Sequence, residues 1–287
     1  MQRGVVYIAD GLPYVAMMSV SLRSLKKHNP DIPVTVASRQ SKFLLPGGVW
    51  SDKDRWLDIS LEQYPRNITP RRMGMRSKSL VHSFTSCPEA VFLDCDTIVN
   101  RNFDRYFDQL AYYDILIRPE PGYETGRDAG EPTGIGKSIS DLPYFNSGVF
   151  FFRNSESTAD CFRLWRTLYD SLEADNDQHS LSAALATTNV RIGPLSELAN
   201  CFTNELRDRK KRENCVIHHY TSNINRDLQR TLEFEMREIC RLNQVVPSEK
   251  EKNFFSNRIA DRVARGKSDP RSTPVLRRIA RRIGRVQ

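Results

Sequence analysis

The sequence predicts an α/β fold with a mostly parallel central sheet, and two observations support this. Residues 5–9 form a short apolar run that ends at Asp10, and a helical pattern and a second apolar run over residues 34–37 follow it. Strand, helix and strand at this spacing are typical of a βαβ unit, in which the two strands lie parallel. A further apolar run, residues 91–93, ends at Asp94. Because open α/β sheets bind ligands at the carboxyl ends of their strands, Asp10 and Asp94 mark the expected functional edge.

The other elements are predicted from hydrophobic periodicity, taken in order along the chain. Helical spacing predicts helices near residues 13–28, 77–85, 102–107, 161–172, 180–186 and 231–243. Within residues 91–99, the apolar run predicts a buried strand that runs into a polar Asp-Cys-Asp tip, and a second apolar run predicts a strand in the second half of residues 144–152. Gly, Pro and charged residues are frequent in residues 41–75 and 119–141. We expect irregular structure in the first of these segments and a long loop in the second.

The basic character of the chain is confined to its C-terminal segment. The formal net charge is +8, and residues 258–287 contain ten Lys or Arg residues against two Asp residues, which accounts for all of it. A neutral body argues against a nucleic-acid-binding domain. Apolar residues and arginines at helical spacing predict a basic amphipathic helix over residues 274–287. This helix either lies on an anionic membrane surface or is a solvated or partner-bound helix.

Composition favours a globular cytoplasmic protein. No apolar run reaches the roughly 18 residues that a membrane-spanning helix needs. Residues 1–4 lead directly into the first predicted strand, without the apolar segment of a secretory signal. The six cysteines are scattered and form no Cys-x-x-Cys motif, so we expect reduced thiols and neither a zinc site nor a redox motif.

Asp94 and Asp96 suggest a metal site. Two carboxylates two residues apart at the end of a buried strand are costly to leave without a compensating charge. Mg²⁺ and Mn²⁺ take carboxylate oxygens as ligands and share the rest of their coordination shell with phosphate oxygens. The spacing therefore favours a divalent cation that bridges the protein and a diphosphate. Aspartyl-phosphate phosphatases carry a similar Asp-x-Asp pair and are an alternative, although their motif opens the domain.

Four further motifs follow a fixed order along the chain. They are Ser77-Lys78-Ser79-Leu80, Phe145-Asn146-Ser147-Gly148-Val149-Phe150, Asp177-Gln178 and His219-Tyr220. Together with Asp-Cys-Asp they resemble the nucleotide-sugar glycosyltransferases of the GT-A fold, in particular glycosyltransferase family 8, which contains glycogenin and bacterial lipopolysaccharide galactosyltransferases. The resemblance covers about residues 4–222. It implies a GT-A (Rossmann-like nucleotide-diphospho-sugar transferase) domain over residues 1–225, with residues 226–287 as a helical C-terminal extension.

The resemblance implies a role for each matching residue. The nucleobase would lie at Ala9 and Asp10, and Tyr14 would either stack on it or pack within its own helix. The other implied donor-binding residues are Lys78, Asp94, Cys95, Asp96, Asn146, Ser147 and Gly148. Asp177 and Gln178 would meet the sugar at its reacting face as the catalytic residues.

A histidine completes the metal site that the resemblance implies. His218 and His219 alternate faces if they lie on a strand, so only one of them can point at the two carboxylates. The family's order of histidine before an aromatic residue favours His219, with His218 as the alternative. The metal would be Mn²⁺ or Mg²⁺, and an imidazole ligand favours Mn²⁺. The family's lysine after this motif is missing, and Arg226 or an arginine of residues 207–212 could replace it.

The sequence thus predicts a metal-dependent hexosyltransferase with a nucleotide-sugar donor, UDP-linked by resemblance. The acceptor would be a glycan, a lipid-linked molecule or a protein. The resemblance implies retention of anomeric configuration, through either a covalent aspartate intermediate or a front-face mechanism. The basic tail would suit an enzyme that is peripheral on the inner face of a membrane. The main alternative from another class is a catalytically silent nucleotide-sugar-binding protein of envelope glycan assembly.

Overall fold

The computed structural model describes residues 2–59, 70–120, 133–172, 176–220 and 224–257. These residues form an α/β fold built on a seven-stranded sheet and a smaller three-stranded sheet. The predicted α/β class and its mostly parallel central sheet are confirmed. Every helix in the described ranges is too short or too polar to cross a lipid bilayer.

The strands of the described residues are numbered in the order of the chain. They are β1 (Arg3–Ile8), β2 (Val34–Ser38), β3 (Arg55–Asp58), β4 (Glu89–Leu93), β5 (Thr97–Val99), β6 (Ile115–Pro119), β7 (Phe145–Arg153), β8 (Ile192–Pro194), β9 (Cys201–Phe202) and β10 (Ile217–His219). The large sheet has the order β3-β2-β1-β4-β7-β6-β8, and the small sheet has the order β5-β10-β9.

Helices cover both faces of the large sheet. They are α1 (Leu12–His28), α2 (Pro70–Ser77), α3 (Val81–Phe84), α4 (Asp104–Gln109), α5 (Glu156–Leu172), α6 (Gln178–Thr187), α7 (Arg209–Asn214), α8 (Arg226–Asn243) and α9 (Glu249–Lys252). A 3₁₀ turn over Lys78–Leu80 joins α2 to α3. Gly11 has φ +99° and turns the chain from β1 into α1, a conformation that glycine adopts without strain.

Strand β7 runs against the otherwise parallel arrangement. β1 pairs in parallel with β2 and β4, whereas β7 is antiparallel to both β4 and β6. Val149 lies opposite Leu93, and Asp94 N donates to Gly148 O at 2.8 Å. Because an antiparallel strand begins where its neighbour ends, the first residues of β7 lie beside the residues that follow β4.

The small sheet brings the late histidines to the same edge. Three residues separate the end of β4 from the start of β5, and β5 pairs antiparallel with β10, with His219 opposite Thr97. Tyr220 N donates to Asp96 O at 3.0 Å and extends this pairing. β9 pairs in parallel with the other side of β10, with Phe202 opposite His219. Residues 94–96 therefore connect the two sheets, at the edge where β4 and β10 end.

Aromatic side chains fill the core on both faces of β7. Phe150 and Phe152 pack against Phe162 and Trp165 of α5, while Phe151 faces the other way and packs against the aromatic residues of α4. Successive side chains of a strand point to opposite faces, so the second half of β7 is buried on both sides, which explains its unbroken apolar run over residues 149–152.

Helix α8 packs on α1 although it belongs to the predicted C-terminal extension. Its inner face places Leu232 and Ile239 in the same hydrophobic cluster as the β1 and β4 side chains. Glu235 is also buried on this face, where it pairs with Arg23 and accepts a hydrogen bond from Ser19, both of α1. α8 thus shares the core of the domain that the sequence assigned to residues 1–225. The predicted amphipathic helix over residues 274–287 lies outside the described residues.

The buried strand that the sequence predicted before Asp94 is β4, and β5 follows it because residues 94–96 turn the chain from one sheet into the other. The prediction for the segment after β2 was wrong. Residues 41–75, predicted as irregular, contain β3 and the start of α2. β3 is a four-residue edge strand without a buried residue, so it leaves no hydrophobic periodicity in the sequence. Of the predicted loop over residues 119–141, residues 121–132 lie outside the described ranges.

Candidate active site

Hydrogen bonds to β1 and within the turn fix the Asp-Cys-Asp segment, residues 94–96, in place. Cys95 is buried, and its Sγ donates to Ile8 O at 3.0 Å, which ties the turn to the end of β1. Thr97 Oγ1 donates to Asp94 O at 2.9 Å and lies 2.9 Å from Ser21 Oγ of α1. These contacts hold the turn in one conformation and leave the two aspartate side chains at the open edge of the sheet, about one fifth exposed.

Asp94, Asp96 and His219 form a cluster that could hold a metal ion. One donor atom of each residue lies within 4.8 Å of the others. His219 Nε2 is 3.4 Å from Asp96 Oδ1 and 3.9 Å from Asp94 Oδ2. A divalent ion with ligand distances of about 2.1 Å holds adjacent donor atoms about 3 to 4 Å apart. Two carboxylates and an imidazole at these separations fit a divalent cation.

Gly148 is required by the position of His219. A Cβ atom built on Gly148 would lie 2.2 Å from His219 Cε1, 2.9 Å from His219 Nδ1 and 2.9 Å from Asp94 Oδ2. Real Cβ contacts do not approach this closely, so a side chain at this position excludes the observed imidazole. The sequence assigned Gly148 to the donor sugar, and the structure gives it a second role as the space into which the histidine ring fits.

Lys78 joins three of the predicted site residues. Its ammonium donates to Asp94 Oδ2 at 3.0 Å and to Ser147 Oγ at 3.3 Å, and it lies 4.0 Å from Asp177 Oδ2. Its aliphatic chain is sheltered, and the ammonium also lies 5.6 Å from the centre of the Phe92 ring. The carboxylates around it hold the pKa of Lys78 above its usual value despite burial, so the group is a permanent cation at the site.

Asp177 is buried at the start of α6, and one of its carboxylate oxygens accepts no hydrogen bond from the described residues. Its backbone oxygen accepts from Trp165 Nε1 at 3.0 Å, which fixes the helix start under the site. Its Oδ2 is buried and has no hydrogen-bond partner among the described residues. Gln178 is half-buried next to it, and its backbone N–H donates to Asn176 Oδ1. A buried acceptor without a partner is costly, and a ligand hydroxyl in the cleft would satisfy it.

Asn146 is held in a polar network that sequence reasoning missed. Its Nδ2 donates to Glu120 Oε2 at 2.8 Å, and its Oδ1 accepts from Gly148 N and from Asn200 Nδ2, each at 3.0 Å. Asn200 Oδ1 in turn lies 3.2 Å from His219 Nδ1. Glu120 and Asn200 stand outside any recognised motif, so no local signal in the sequence could have identified them.

The predicted nucleobase end lies at the ends of β1 and β2. Ala9 is buried, and its backbone N–H is already paired with Ala37 O. Asp10 pairs with Arg39, whose Nε donates to Asp10 Oδ2 at 2.6 Å. Arg39 was not predicted, since it lies in a segment without a motif. Tyr14 is half-buried in the first turn of α1, and its ring packs edge-on against Phe254 at 5.6 Å.

The two histidines of β10 point in different directions. His218 is fully buried, and its Nε2 lies 3.0 Å from Thr203 Oγ1 on the side away from the carboxylates. Burial lowers the pKa of His218 to about 3, so its ring is neutral. The alternation of side chains along β10 therefore places His219 in the carboxylate cluster and His218 outside it.

Negative charge dominates the cluster. Desolvation raises the pKa of Asp94 to about 6, with Asp96 acting in the same direction and Lys78 against it. Burial by itself would lower the pKa of His219, but the Asp96 carboxylate outweighs it and raises that pKa. The Asp96 carboxylate contributes to both shifts, because too little positive charge compensates the pair of carboxylates. A bound divalent cation would supply that charge and displace the protons.

Other basic residues near the motifs have partners elsewhere. Arg76, which precedes the Lys78 turn, makes a two-pronged ion pair with Asp170 of α5. In the basic run before β10, Lys211 pairs with Glu197. Arg226 is exposed at the start of α8. Of the basic residues considered for the diphosphate, Lys78 is therefore the one that the described structure places beside Asp94.

Comparison with known families decides the class of the protein. A family model described as nucleotide-diphospho-sugar transferase matches residues 58–230, more than half of the chain. The chain belongs to the nucleotide-diphospho-sugar transferase family. The predicted enzyme class, a glycosyltransferase, is thereby confirmed, and the phosphatase alternative falls away. A search of curated proteins gave no match for this transferase.

Solved structures show the same fold for the transferase. The galactosyltransferase LgtC, in complex with donor and acceptor sugar analogs, has a TM-score of 0.59 and 17% identity over 86% of this chain and 98% of LgtC. An active-site mutant of LgtC has a TM-score of 0.58 and 17% identity over 87% of this chain and 99% of the LgtC chain. The bifunctional glycosyltransferase WbbM has a TM-score of 0.56 and 12% identity over 90% of this chain and 51% of WbbM. At these identities the likeness establishes the GT-A fold, as predicted.

Proposed function

We propose that this transferase moves a hexose from a UDP-sugar to a hydroxyl group of an acceptor, with Mn²⁺ as cofactor and with retention of anomeric configuration. The observation that carries the proposal is the convergence of Asp94, Asp96 and His219 on one point, next to Lys78, at the carboxyl edge of the sheet. Because open α/β sheets bind ligands at the carboxyl ends of their strands, a cation at this edge would be placed to serve the diphosphate of the donor.

Asp94, Asp96 and His219 would hold the metal. A donor set of two carboxylates and one imidazole suits Mn²⁺ better than Mg²⁺, which prefers oxygen ligands alone. When bound, the ion supplies Lewis-acid stabilisation of the negative charge that develops on the diphosphate. Lys78 adds a second fixed positive charge on the same side of the cleft, where a low dielectric makes it effective.

The chain's own polar groups would orient the sugar between β7 and α6. Ser147 Oγ is next to Lys78, and Asp177 Oδ2 has an acceptor position free among the described residues. Sugar hydroxyls can donate to that carboxylate, and this would fix the ring relative to the diphosphate. Asp177 and Gln178 would then be the residues nearest the anomeric carbon. Retention is proposed from the resemblance to family 8.

The proposal is tested by UDP release from a panel of UDP-sugars with and without Mn²⁺. We expect release with one donor that depends on the metal, and its loss in Asp96→Ala, together with the loss of thermal stabilisation by Mn²⁺ and donor. Asp31 is an exposed carboxylate just before β2, at the end of that strand remote from the metal cluster. Asp31→Ala is the matched control and should keep both the metal-dependent UDP release and the thermal stabilisation by Mn²⁺ and donor.

Two outcomes would contradict the proposal. Wild-type protein that is stabilised by a UDP-sugar but releases no UDP with any donor would favour the silent binding protein. Release unchanged by Asp96→Ala would remove the metal cluster from the reaction. The anomeric configuration of the product, measured by NMR coupling constants, decides between retention and inversion.

We further propose that residues 274–287 hold the enzyme on an anionic membrane surface, where a glycan, lipid-linked or protein acceptor is presented. The support is the spacing of apolar residues and arginines in this segment. Sedimentation with vesicles of phosphatidylglycerol, and with phosphatidylcholine as control, tests it. Binding to the anionic vesicles should disappear when the five arginines of the segment are replaced by glutamine, whereas equal binding to both vesicles would contradict the electrostatic argument.

A further inference from the structure

Three hydrogen bonds form a chain that leads from Gly148 to the Nδ1 atom of His219. Gly148 N donates to Asn146 Oδ1 at 3.0 Å, Asn200 Nδ2 donates to the same oxygen at 3.0 Å, and Asn200 Oδ1 lies 3.2 Å from His219 Nδ1. Asn146, Asn200 and His219 are each at most 5% exposed. Water therefore has little access to these groups, and each bond matters for the direction of the next.

The backbone N–H of Gly148 sets the direction of every bond in this chain. A backbone N–H can only donate, so the Asn146 atom that faces it is the carbonyl oxygen. The Asn200 atom that faces this oxygen must then be the amide nitrogen, which turns the Asn200 oxygen toward His219. Because that oxygen can only accept, His219 Nδ1 must carry a proton. Nε2, the nitrogen 3.4 Å from Asp96, is thereby the one that can present a lone pair.

Asn200 itself is held by a buried ion pair. The guanidinium of Arg118 donates to Asn200 O and pairs with Glu205, with Arg118 Nη1 2.8 Å from Glu205 Oε2. The Arg118 side chain is 4% exposed and covers the ring of Phe202, which packs beside His219. Arg118 thus fixes the backbone of Asn200, and the side-chain amide cannot rotate without breaking its hydrogen bonds to Asn146 and His219.

We propose that Asn200 is a positioning residue that fixes the His219 imidazole with its proton on Nδ1 and its Nε2 toward Asp94 and Asp96. The inference rests on the proposed function, in which Nε2 is a metal ligand. It extends that function to a residue outside every recognised motif. The second nitrogen of a metal-binding histidine needs such a partner, since the partner fixes both the tautomer and the ring orientation.

Asn200 also couples two parts of the site. Its Nδ2 supports Asn146, which the sequence assigned to the donor sugar, while its Oδ1 supports His219. Asn200→Ala removes both contacts. Asn200→Asp keeps an acceptor for His219 but has no donor for Asn146, so the two functions of the side chain can be separated.

The first experiment determines the tautomer in metal-free protein by ¹⁵N NMR of the imidazole at alkaline pH, where the ring is neutral. We expect the proton on Nδ1 of His219 in the wild type and in Asn200→Asp. In Asn200→Ala we expect it on Nε2, where Asp96 can accept it. The Nδ1 tautomer in Asn200→Ala would overturn the proposal, as would the Nε2 tautomer in the wild type.

The second experiment measures Mn²⁺ affinity from the electron paramagnetic resonance signal of the free ion. Loss of this kind of support weakens metal binding by roughly 10–100-fold, which we expect for Asn200→Ala. Asn200→Asp should bind Mn²⁺ near the wild-type level while its KM for the donor rises. Asn29→Ala removes a buried asparagine at the end of α1, remote from the cluster, and should bind Mn²⁺ normally.

The two experiments separate failure of the inference from failure of the proposed function. A wild type without measurable Mn²⁺ affinity contradicts the metal site, and the tautomer measurement then still decides the role of Asn200. Wild-type Mn²⁺ affinity in Asn200→Ala contradicts the inference alone. If Asn200→Ala does not fold, Asn200→Leu keeps a similar side-chain volume, removes the same two hydrogen bonds and carries the same expectations.

Discussion

Replacing Gly148 by alanine would place a methyl carbon 2.2 Å from His219 Cε1. Carbon atoms in contact are about 3.5 Å apart, so the strand or the ring must move by more than about 1 Å. The ring has little freedom, since His219 is 4% exposed and its Nδ1 is bonded to Asn200. If β7 moves, overpacking destabilises the fold by about 1–3 kcal/mol. If the ring moves, Nε2 leaves the carboxylates and metal binding weakens.

We therefore expect Gly148→Ala to lower Mn²⁺ affinity by at least roughly tenfold, the range seen when a histidine ligand loses its orientation. The assays are an Mn²⁺ titration, UDP release and urea unfolding. Gly193→Ala is the matched control, because its added methyl would lie 2.6 Å from the side chains of Leu116 and Tyr113 at the other edge of the sheet. It should destabilise the protein without changing Mn²⁺ affinity. A Gly148→Ala protein with wild-type Mn²⁺ affinity would refute the argument that this glycine makes room for the imidazole.

Two stability predictions concern the elements that support the site. Arg118→Met leaves Glu205 without its buried partner and should lower the free energy of unfolding by about 3–5 kcal/mol in urea, whereas loss of the exposed Arg209 pair in Arg209→Met should have no measurable effect. An equal effect of the two would show that the Arg118 pair is not buried in solution. Leu232→Ala, on the inner face of α8, should cost about 2–5 kcal/mol, and the half-exposed Phe234→Ala far less. Similar small losses for both α8 variants would mean that this helix is not part of the domain core.

Much of the fold could be predicted because its signals are local. The first β–α–β unit followed from apolar runs and a helical pattern within residues 5–37, and β1, α1 and β2 lie where they were predicted. The buried strand before Asp94 was equally clear, because a strand covered on both faces needs an unbroken apolar run. The short strands β3 and β9 were missed, since two to four residues are too few to show a period.

The site was predicted in part, by the chemistry of its motifs. The structure brings Lys78, Asp94, Ser147 and Asp177 together, as the order of motifs implied. It does not bring every predicted donor residue there with a free side chain. Asp10 forms an ion pair with Arg39, a residue that belongs to no recognised motif. Glu120, Asn200 and Arg118 belong to the network for a geometric reason, which becomes visible only after β6 and β9 lie next to β7 and β10.

The sequence by itself determined the residue types that a diphosphate site needs, and it placed a carboxylate pair after a buried strand, where water cannot solvate it well. It also determined that the net positive charge of the chain lies in its C-terminal segment. Tertiary structure alone decided that β7 enters the sheet antiparallel and so delivers Asn146 to Gly148 beside Asp94. It also decided that His219 and not His218 faces the carboxylates. The physical reason is that strand pairing and side-chain alternation are set by contacts between segments far apart in the chain, and a local pattern cannot contain them.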